Sequence, residues 1–210
     1  LALLYQEQGR YDLAEPMTEK ALALKTEVLG DKHPDILSSL NNLAFLYKSQ
    51  GRYDLAEPLF EKALALTAEV LGEKHPFTLS SLNNRAFLYL EQGRYDLAEP
   101  MYEKALALKT EVLGDKHPST LSILNNLAAL QIEIGNVASA FTLWQTYLRY
   151  SNDFLQDVIW GASEATRQSY LKAQVNFRNN YISLMVALNT EESAKEALFY
   201  SLTRKGLLLH

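Results

Sequence analysis

The 210-residue chain contains no cysteine. Disulfide bridges, thiolate-bound metals and cysteine nucleophiles are therefore excluded, and the absence fits a reducing compartment such as the cytoplasm, where we expect the protein. Basic residues are also few, with 20 Lys and Arg against 25 Asp and Glu and a net charge of −5. Because nucleic-acid-binding domains usually carry a basic face, nucleic acid is not an expected partner.

Long apolar runs and the signatures of catalytic sites are missing too. No apolar stretch approaches the roughly 18 residues that a membrane-spanning helix needs, so a membrane is not an expected partner. No glycine-rich phosphate loop, nucleophile elbow or metal-ligand spacing is present, so the sequence predicts neither an enzyme nor a bound cofactor. Leu1 falls inside a repeat, and we expect the chain to be a fragment of a longer protein.

An internal repeat dominates the sequence. The string G-R-Y-D-L-A-E-P begins at Gly9, Gly51 and Gly93, always 42 residues apart, and a degraded copy begins at Gly135. A fixed period of this length is typical of repeat architectures, in which each unit packs only against its neighbours. We therefore expect about three and a half repeats over residues 1–150.

Each unit is predicted to form two helices. In the second unit Pro34 suits a first helical turn, apolar residues follow at helical spacing, and Gly51 is expected to end the helix. Asp54 is expected to cap the next helix together with Glu57, as in a capping box, and Gly72 is expected to end it. The prediction is an all-α fold of antiparallel helix pairs.

The recurring residues resemble the tetratricopeptide repeat (TPR). Its carriers in the second unit are Leu40, Leu43, Ala44, Tyr47, Gly51, Tyr53, Ala56, Phe60 and Ala63. With the strings L-G-D-K-H-P, L-N-N-L-A and G-R-Y-x-x-A-E-P at a period of 42 rather than about 34 residues, the pattern is similar to the repeats of kinesin light chains and related bacterial arrays. This resemblance covers residues 1–148. It implies a right-handed superhelical solenoid that binds a peptide or a partner protein in a concave groove.

Residues 151–210 depart from the repeat and are predicted to form a C-terminal helical extension. The strings R-Q-S-Y-L, Y-I-S-L and E-A-L-F-Y-S-L-T-R-K-G-L-L-L, within about residues 161–209, resemble the region that precedes the caspase-like CHAT domain of bacterial TPR proteins. The resemblance implies an alternative function. The array would be a regulatory arm that restrains a CHAT protease domain in cis, downstream of His210, or recruits substrates to it.

Paired asparagines in the first helices are the leading candidates for a binding role. In the TPR frame the second member of each pair faces the groove: Asn42, Asn84 and Asn126. An amide offers both a donor and an acceptor, so a row of amides can hydrogen-bond the backbone of an extended ligand. The alternative is that each asparagine bonds within its own helix or to the neighbouring repeat.

The other groove positions vary between repeats that are otherwise nearly identical. Phe45 and Phe87 lie one turn beyond the asparagines, and a further turn brings Lys48, Glu91 and Glu133. Variation confined to these positions fits a groove that selects its partner, and neutral drift at exposed sites explains it equally well. Because Lys48 is the one obvious cation of the row, a strongly acidic ligand is not indicated.

Three further features invite chemical hypotheses. Histidines recur in the K-H-P turns at His33, His75 and His117. Zinc ligands must converge at about 2 Å from one ion, and one repeat separates each histidine from the next, so we expect caps and no metal site. Glutamates before proline are expected to favour the helix dipole and to have no catalytic role: Glu15, Glu57 and Glu99. Arg85 replaces leucine at a core position and is expected to reach solvent or meet a carboxylate.

The sequence thus favours a scaffold without enzymatic activity that binds a protein or peptide. The CHAT-associated arm is the alternative function, and a third possibility is an assembly in which arrays stack through their exposed ends. No metal or cofactor is predicted for any of the three.

Overall fold

The computed structural model describes residues 1–158 and Ser163, and the regular structure in this part of the chain is α-helical. The helices are α1 (Ala2–Glu7), α2 (Tyr11–Leu29), α3 (Pro34–Ser49), α4 (Tyr53–Leu71), α5 (Pro76–Glu91), α6 (Tyr95–Leu113), α7 (Pro118–Ile134) and α8 (Val137–Val158). The predicted all-α fold of paired helices is confirmed. Apart from Ser163, the residues that resemble CHAT-associated proteins lie outside the described part, so the C-terminal extension stays a prediction.

The first helix of each pair begins with a histidine cap and a proline. His33 is the N-cap of α3, and its Nδ1 accepts a hydrogen bond from the backbone N–H of Asp35 at 3.2 Å. Pro34 follows at the first helical position, where a missing N–H costs nothing. The same cap recurs at His75 and His117, with distances of 3.2 and 3.1 Å. The capping role predicted for these histidines is confirmed.

Glycines end the helices where the sequence predicts. After α3 the chain turns through Gly51 at φ +73°, and α4 ends at Leu71 before Gly72 at φ +90°. A residue without Cβ adopts these positive φ values without the steric cost that other residues meet. Both predicted stops are therefore confirmed.

The predicted capping box at the start of the second helix is wrong. α4 begins at Tyr53, so Asp54 lies inside the first turn, and the N-cap is Arg52, whose side chain makes no capping hydrogen bond. The connection is short because the Arg52 N–H bonds back to the carbonyl of Tyr47 at 2.9 Å, in the last turn of α3. The helix therefore begins directly after this turn, two residues earlier than an N-cap at Asp54 requires.

Small and aromatic side chains hold the repeats together in the compact unit Leu1–Tyr147. Ala44 and Ala56 are fully buried where α3 meets α4, and the ring of Phe60 fills the space beside them. Leu88 of α5 joins the same cluster, so the core of one unit continues into the next. Consecutive helices from α1 to α7 pack against each other, which is the neighbour-only packing of a TPR-type solenoid.

Candidate functional site

The groove residues predicted from the sequence lie on α3, α5 and α7 and all keep some exposure to solvent. Neighbouring positions of the same helices, such as Leu43, Leu46 and Leu130, are buried in the core. We call the accessible surface of these helices and α1 the first-helix face. Its predicted members are Asn42, Phe45, Lys48, Asn84, Phe87, Glu91, Asn126 and Glu133.

A cleft of about 370 Å³ opens on the first-helix face between α1 and α3. Asn42 and Phe45 line it from α3, and Leu3, Gln6 and Glu7 line it from α1. The exposed Asn42 amide has no hydrogen bond to another described residue. The cleft therefore combines apolar surface with an amide that can bind a ligand.

The asparagine pairs form a ladder between repeats. The Nδ2 of Asn84 donates to the Oδ1 of Asn41 at 3.4 Å, and the Nδ2 of Asn126 donates to the Oδ1 of Asn83 at 3.0 Å, both across 43 residues. A bond to the neighbouring repeat thus uses one hydrogen of each donating amide. The other N–H and the carbonyl oxygen make no hydrogen bond to described residues. Asn42 makes no such bond, since the position 43 residues before it would precede Leu1.

Lys48 forms an ion pair and cation–π contacts within the protein. Its Nζ lies 3.0 Å from the Oε1 of Glu91, 4.2 Å from the ring centre of Phe87 and 5.6 Å from that of Phe45. Only 11% of the Lys48 side chain is exposed, against 31% for Glu91, so the lysine is the better shielded partner of the ion pair. A carboxylate and two aromatic rings therefore satisfy the cation, which is not free to bind an acidic ligand.

The glutamates that precede proline link consecutive repeats, a role the sequence reasoning missed. Arg52 Nη1 donates to both carboxylate oxygens of Glu15 at 2.7 Å, and this hydrogen bond holds the pKa of Glu15 below its usual value. Arg94 Nη1 donates to one carboxylate oxygen of Glu57, Oε2, at 2.8 Å. Glu99 accepts instead from a glutamine of α7 at 2.6 Å. The signal for the two arginine links was the G-R string that follows the first two A-E-P strings in the next repeat, at Arg52 and Arg94.

Arg85 meets a carboxylate, which is one of the two outcomes expected from the sequence. Its Nη2 lies 3.3 Å from the Oε1 of Glu61, and its Nε and Nη2 donate to the hydroxyl of Tyr89 at 3.2 and 3.0 Å. The Tyr89 hydroxyl in turn donates to Glu57 at 3.1 Å. The side chain of Arg85 is 20% exposed and lines a second cleft, of about 280 Å³, between α4, α5 and α6.

The preceding repeat shows what Arg85 changes. There Leu43 occupies the equivalent position and is buried, and the hydroxyl of Tyr47 donates to Glu19. Burial, reinforced by this carboxylate, raises the pKa of Tyr47 to about 12. In the next repeat the guanidinium of Arg85 binds Glu61, which is the equivalent of Glu19. The hydroxyl of Tyr89 donates to Glu57 instead.

Neither a metal site nor a membrane span is found in the part of the chain that the structure describes. In residues 1–158 and Ser163, no group of three or more histidine or acidic side chains is arranged to hold a metal ion. No helix within the same residues combines the length and apolar character needed to cross a bilayer.

Comparison with known proteins agrees with this architecture. The solved structure of BtubC (BKLC) from P. vanneervenii superposes with a TM-score of 0.76 at 22% identity, over 99% of this chain and 78% of that one. A putative kinesin light chain of Podosopora anserina with nearly identical TPR-like repeats gives 0.70 at 24% identity, over 94% and 88%. These likenesses show the fold alone. No curated protein matches the chain. The family model for the tetratricopeptide repeat matches residues 1–67, 35–111 and 77–151, and the chain therefore belongs to the tetratricopeptide repeat family.

Proposed function

We propose that this chain is a scaffold without enzymatic activity that binds an extended peptide, or an extended segment of a partner protein, on its first-helix face. TPR proteins generally act as scaffolds for protein interactions. The observation that carries the proposal is the cleft between α1 and α3, where the Asn42 amide and the Phe45 ring lie together at an open surface. Its volume is in the range of sites that hold small ligands or single side chains.

The repeated amides suit a ligand with an extended backbone. Each peptide unit of such a ligand presents one N–H and one carbonyl group. Asn42, Asn84 and Asn126 occupy equivalent positions on successive first helices, and each offers a carbonyl oxygen and at least one N–H towards a ligand. A row of this kind binds backbone groups and depends little on the ligand's sequence.

The test is selection of peptides on the purified chain, followed by affinity measurements on variants. Asn42→Ala is the informative variant, because Asn42 has no hydrogen bond to another described residue and its loss should leave folding intact. Loss of one ligand hydrogen bond of about 0.5–1.5 kcal/mol predicts affinity weakened by roughly two- to tenfold. Lys62→Ala, an exposed change on α4, is the matched control and should bind as the wild type does.

Two results would reject the proposal. The first is a failure to select any peptide above the level of an uncoated surface. The second is a selected peptide that binds Asn42→Ala and the wild type equally well. Thermal unfolding of both variants shows whether a change in affinity reflects a change in stability.

The alternative function is that of a regulatory arm for a CHAT protease domain. It is supported by the sequence of residues 161–209, above all by Arg204, Lys205 and Gly206. The full-length reading frame tests it, and the absence of a caspase-like domain downstream of His210 rejects it. A bacterial origin and a cytoplasmic location likewise stay predictions. Assembly by end-to-end stacking is rejected if light scattering finds a monomer at all accessible concentrations.

A further inference from the structure

Side chains at one position of the first-helix face contact the next first helix at a constant offset. The Nζ of Lys48 on α3 meets the carboxylate of Glu91 on α5, 43 residues later. At the equivalent place one repeat earlier, the Nε2 of Gln6 lies 3.5 Å from the Oγ of Ser49, again 43 residues later. The stacking of the repeats therefore brings these two positions together in both of these pairs of first helices.

The surroundings of Lys48 show what this position provides for a cation. The ammonium has a carboxylate oxygen at 3.0 Å and the face of the Phe87 ring at 4.2 Å. An aromatic face attracts a cation through its quadrupole, and the low exposure of the Lys48 side chain limits screening by water. The contacts of Lys48 thus show that this position on the first-helix face can bind an ammonium group.

The equivalent site between α5 and α7 has the carboxylate and lacks the cation. Glu133 stands where Glu91 stands in the preceding repeat, is exposed, and makes no hydrogen bond or ion pair with another described residue. Leu90 occupies the position of Lys48 and cannot donate. Ala129 replaces the Phe87 ring, so less side-chain volume surrounds this carboxylate.

We propose that the ligand of the first-helix face carries a lysine or arginine whose cation binds Glu133, as Lys48 binds Glu91. The inference rests on the proposed function and specifies the chemistry of its ligand. The net charge of −5 favours the approach of a basic segment, and the engaged ammonium of Lys48 offers nothing to an acidic one. The apolar part of the ligand's basic side chain would lie along Leu90.

Three peptide pools test the inference on the full chain. The pools share randomised positions and differ in one fixed central residue, which is lysine, glutamine or glutamate. We expect the lysine pool to bind the wild type about two- to fivefold more tightly than the glutamine pool, the range for a partly exposed ion pair, with the difference reduced at high salt. The glutamate pool should bind least.

Substitutions at the two positions separate charge from shape. Glu133→Gln removes the carboxylate, and Leu90→Lys supplies the cation from within the chain, so both should abolish the preference for the lysine pool. Leu90→Met is the matched control, because it keeps an apolar side chain of similar volume that cannot donate a hydrogen bond to Glu133, and it should keep the preference. Lys48→Leu frees Glu91 and should increase the preference.

The outcomes distinguish this inference from the proposed function. If Glu133→Gln and Leu90→Lys both keep the lysine preference, or if the glutamate pool binds best, the inference is overturned while sensitivity to Asn42→Ala still supports groove binding. If no pool binds, or if Asn42→Ala is without effect, the proposed function fails and the inference fails with it. Should Leu90→Lys not fold, Glu133→Gln decides, since this exposed side chain has no packing role.

Discussion

Arg85 is the residue at which this repeat array departs most clearly from its own pattern, and replacing it with leucine should stabilise the protein. Leucine is the residue found at the equivalent positions of α3 and α7, where Leu43 is 5% exposed and Leu127 is 6% exposed. The backbone of α5 therefore already has the conformation that a buried leucine occupies in α3 and α7. We expect Arg85→Leu to pack in the same way.

The size of the effect follows from the balance between added apolar burial and the loss of polar interactions. Complete burial of a leucine contributes about 1.5–3 kcal/mol, and part of this is already present in the covered stem of the arginine. The lost ion pair contributes about 1 kcal/mol or less, because the side chain of Glu61 is 61% exposed. Tyr89 loses its bonds from Arg85 and keeps its bond to Glu57. The net expectation is a gain of roughly 0.5–2 kcal/mol.

Urea unfolding followed by far-UV circular dichroism measures the gain. The midpoint should rise without a change in slope, and the melting temperature should rise by about 2–4 °C per kcal/mol for a unit of this size. Glu61→Gln serves as the control that removes the ion pair and leaves the packing unchanged, and it should lower stability only slightly. If Arg85→Leu is less stable than the wild type, the guanidinium network outweighs core burial and the expectation is refuted.

Three further changes probe the turns, the ladder and the links between repeats. Gly51→Ala should lower the free energy of unfolding in urea by about 1–2 kcal/mol, because a φ of +73° is strained for an L-residue. The added Cβ would meet no atom within 4 Å, so the cost comes from the backbone alone. An unchanged urea midpoint would contradict this. Asn126→Ala should lower the free energy of unfolding by about 0.5–1.5 kcal/mol, because it removes the hydrogen bond to Asn83, whereas Asn42→Ala should leave it unchanged. Equal losses of stability in the two variants would show that the ladder has no stabilising role. Arg52 lowers the pKa of Glu15 in the folded state, so this pair stabilises the protein above the unfolded pKa of about 4.5 and loses its effect as the pH falls through the lower folded value. The stability difference between wild type and Arg52→Gln should therefore shrink on acidification, and a constant difference would exclude the linkage.

The local features of this fold were predictable because short-range physics decides them. A proline tolerates the first helical turn, a glycine tolerates positive φ, and apolar residues at helical spacing form one face, all within a few neighbouring residues. Residues such as Pro34, Gly51 and Gly72 therefore marked the helix ends, and the 42-residue period predicted the stack of helix pairs. The capping box predicted at Asp54, which the structure does not contain, also depends only on neighbouring residues. There the bond from Arg52 to Tyr47 decided the start of the helix, and side-chain preference did not.

Contacts between repeats were decided by the tertiary structure. Sequence reasoning could not show that Asn84 donates to Asn41, or that Lys48 is held by Glu91, because the side chains in each pair are 43 residues apart. Their approach depends on how far one helix pair is displaced and rotated against the next, which is set by packing of the whole core. The sequence by itself determined the repeat, its helices and its accessible face. The stacking of the repeats determined which polar groups on that face are satisfied by a neighbouring repeat, as those of Asn84, Asn126 and Lys48 are.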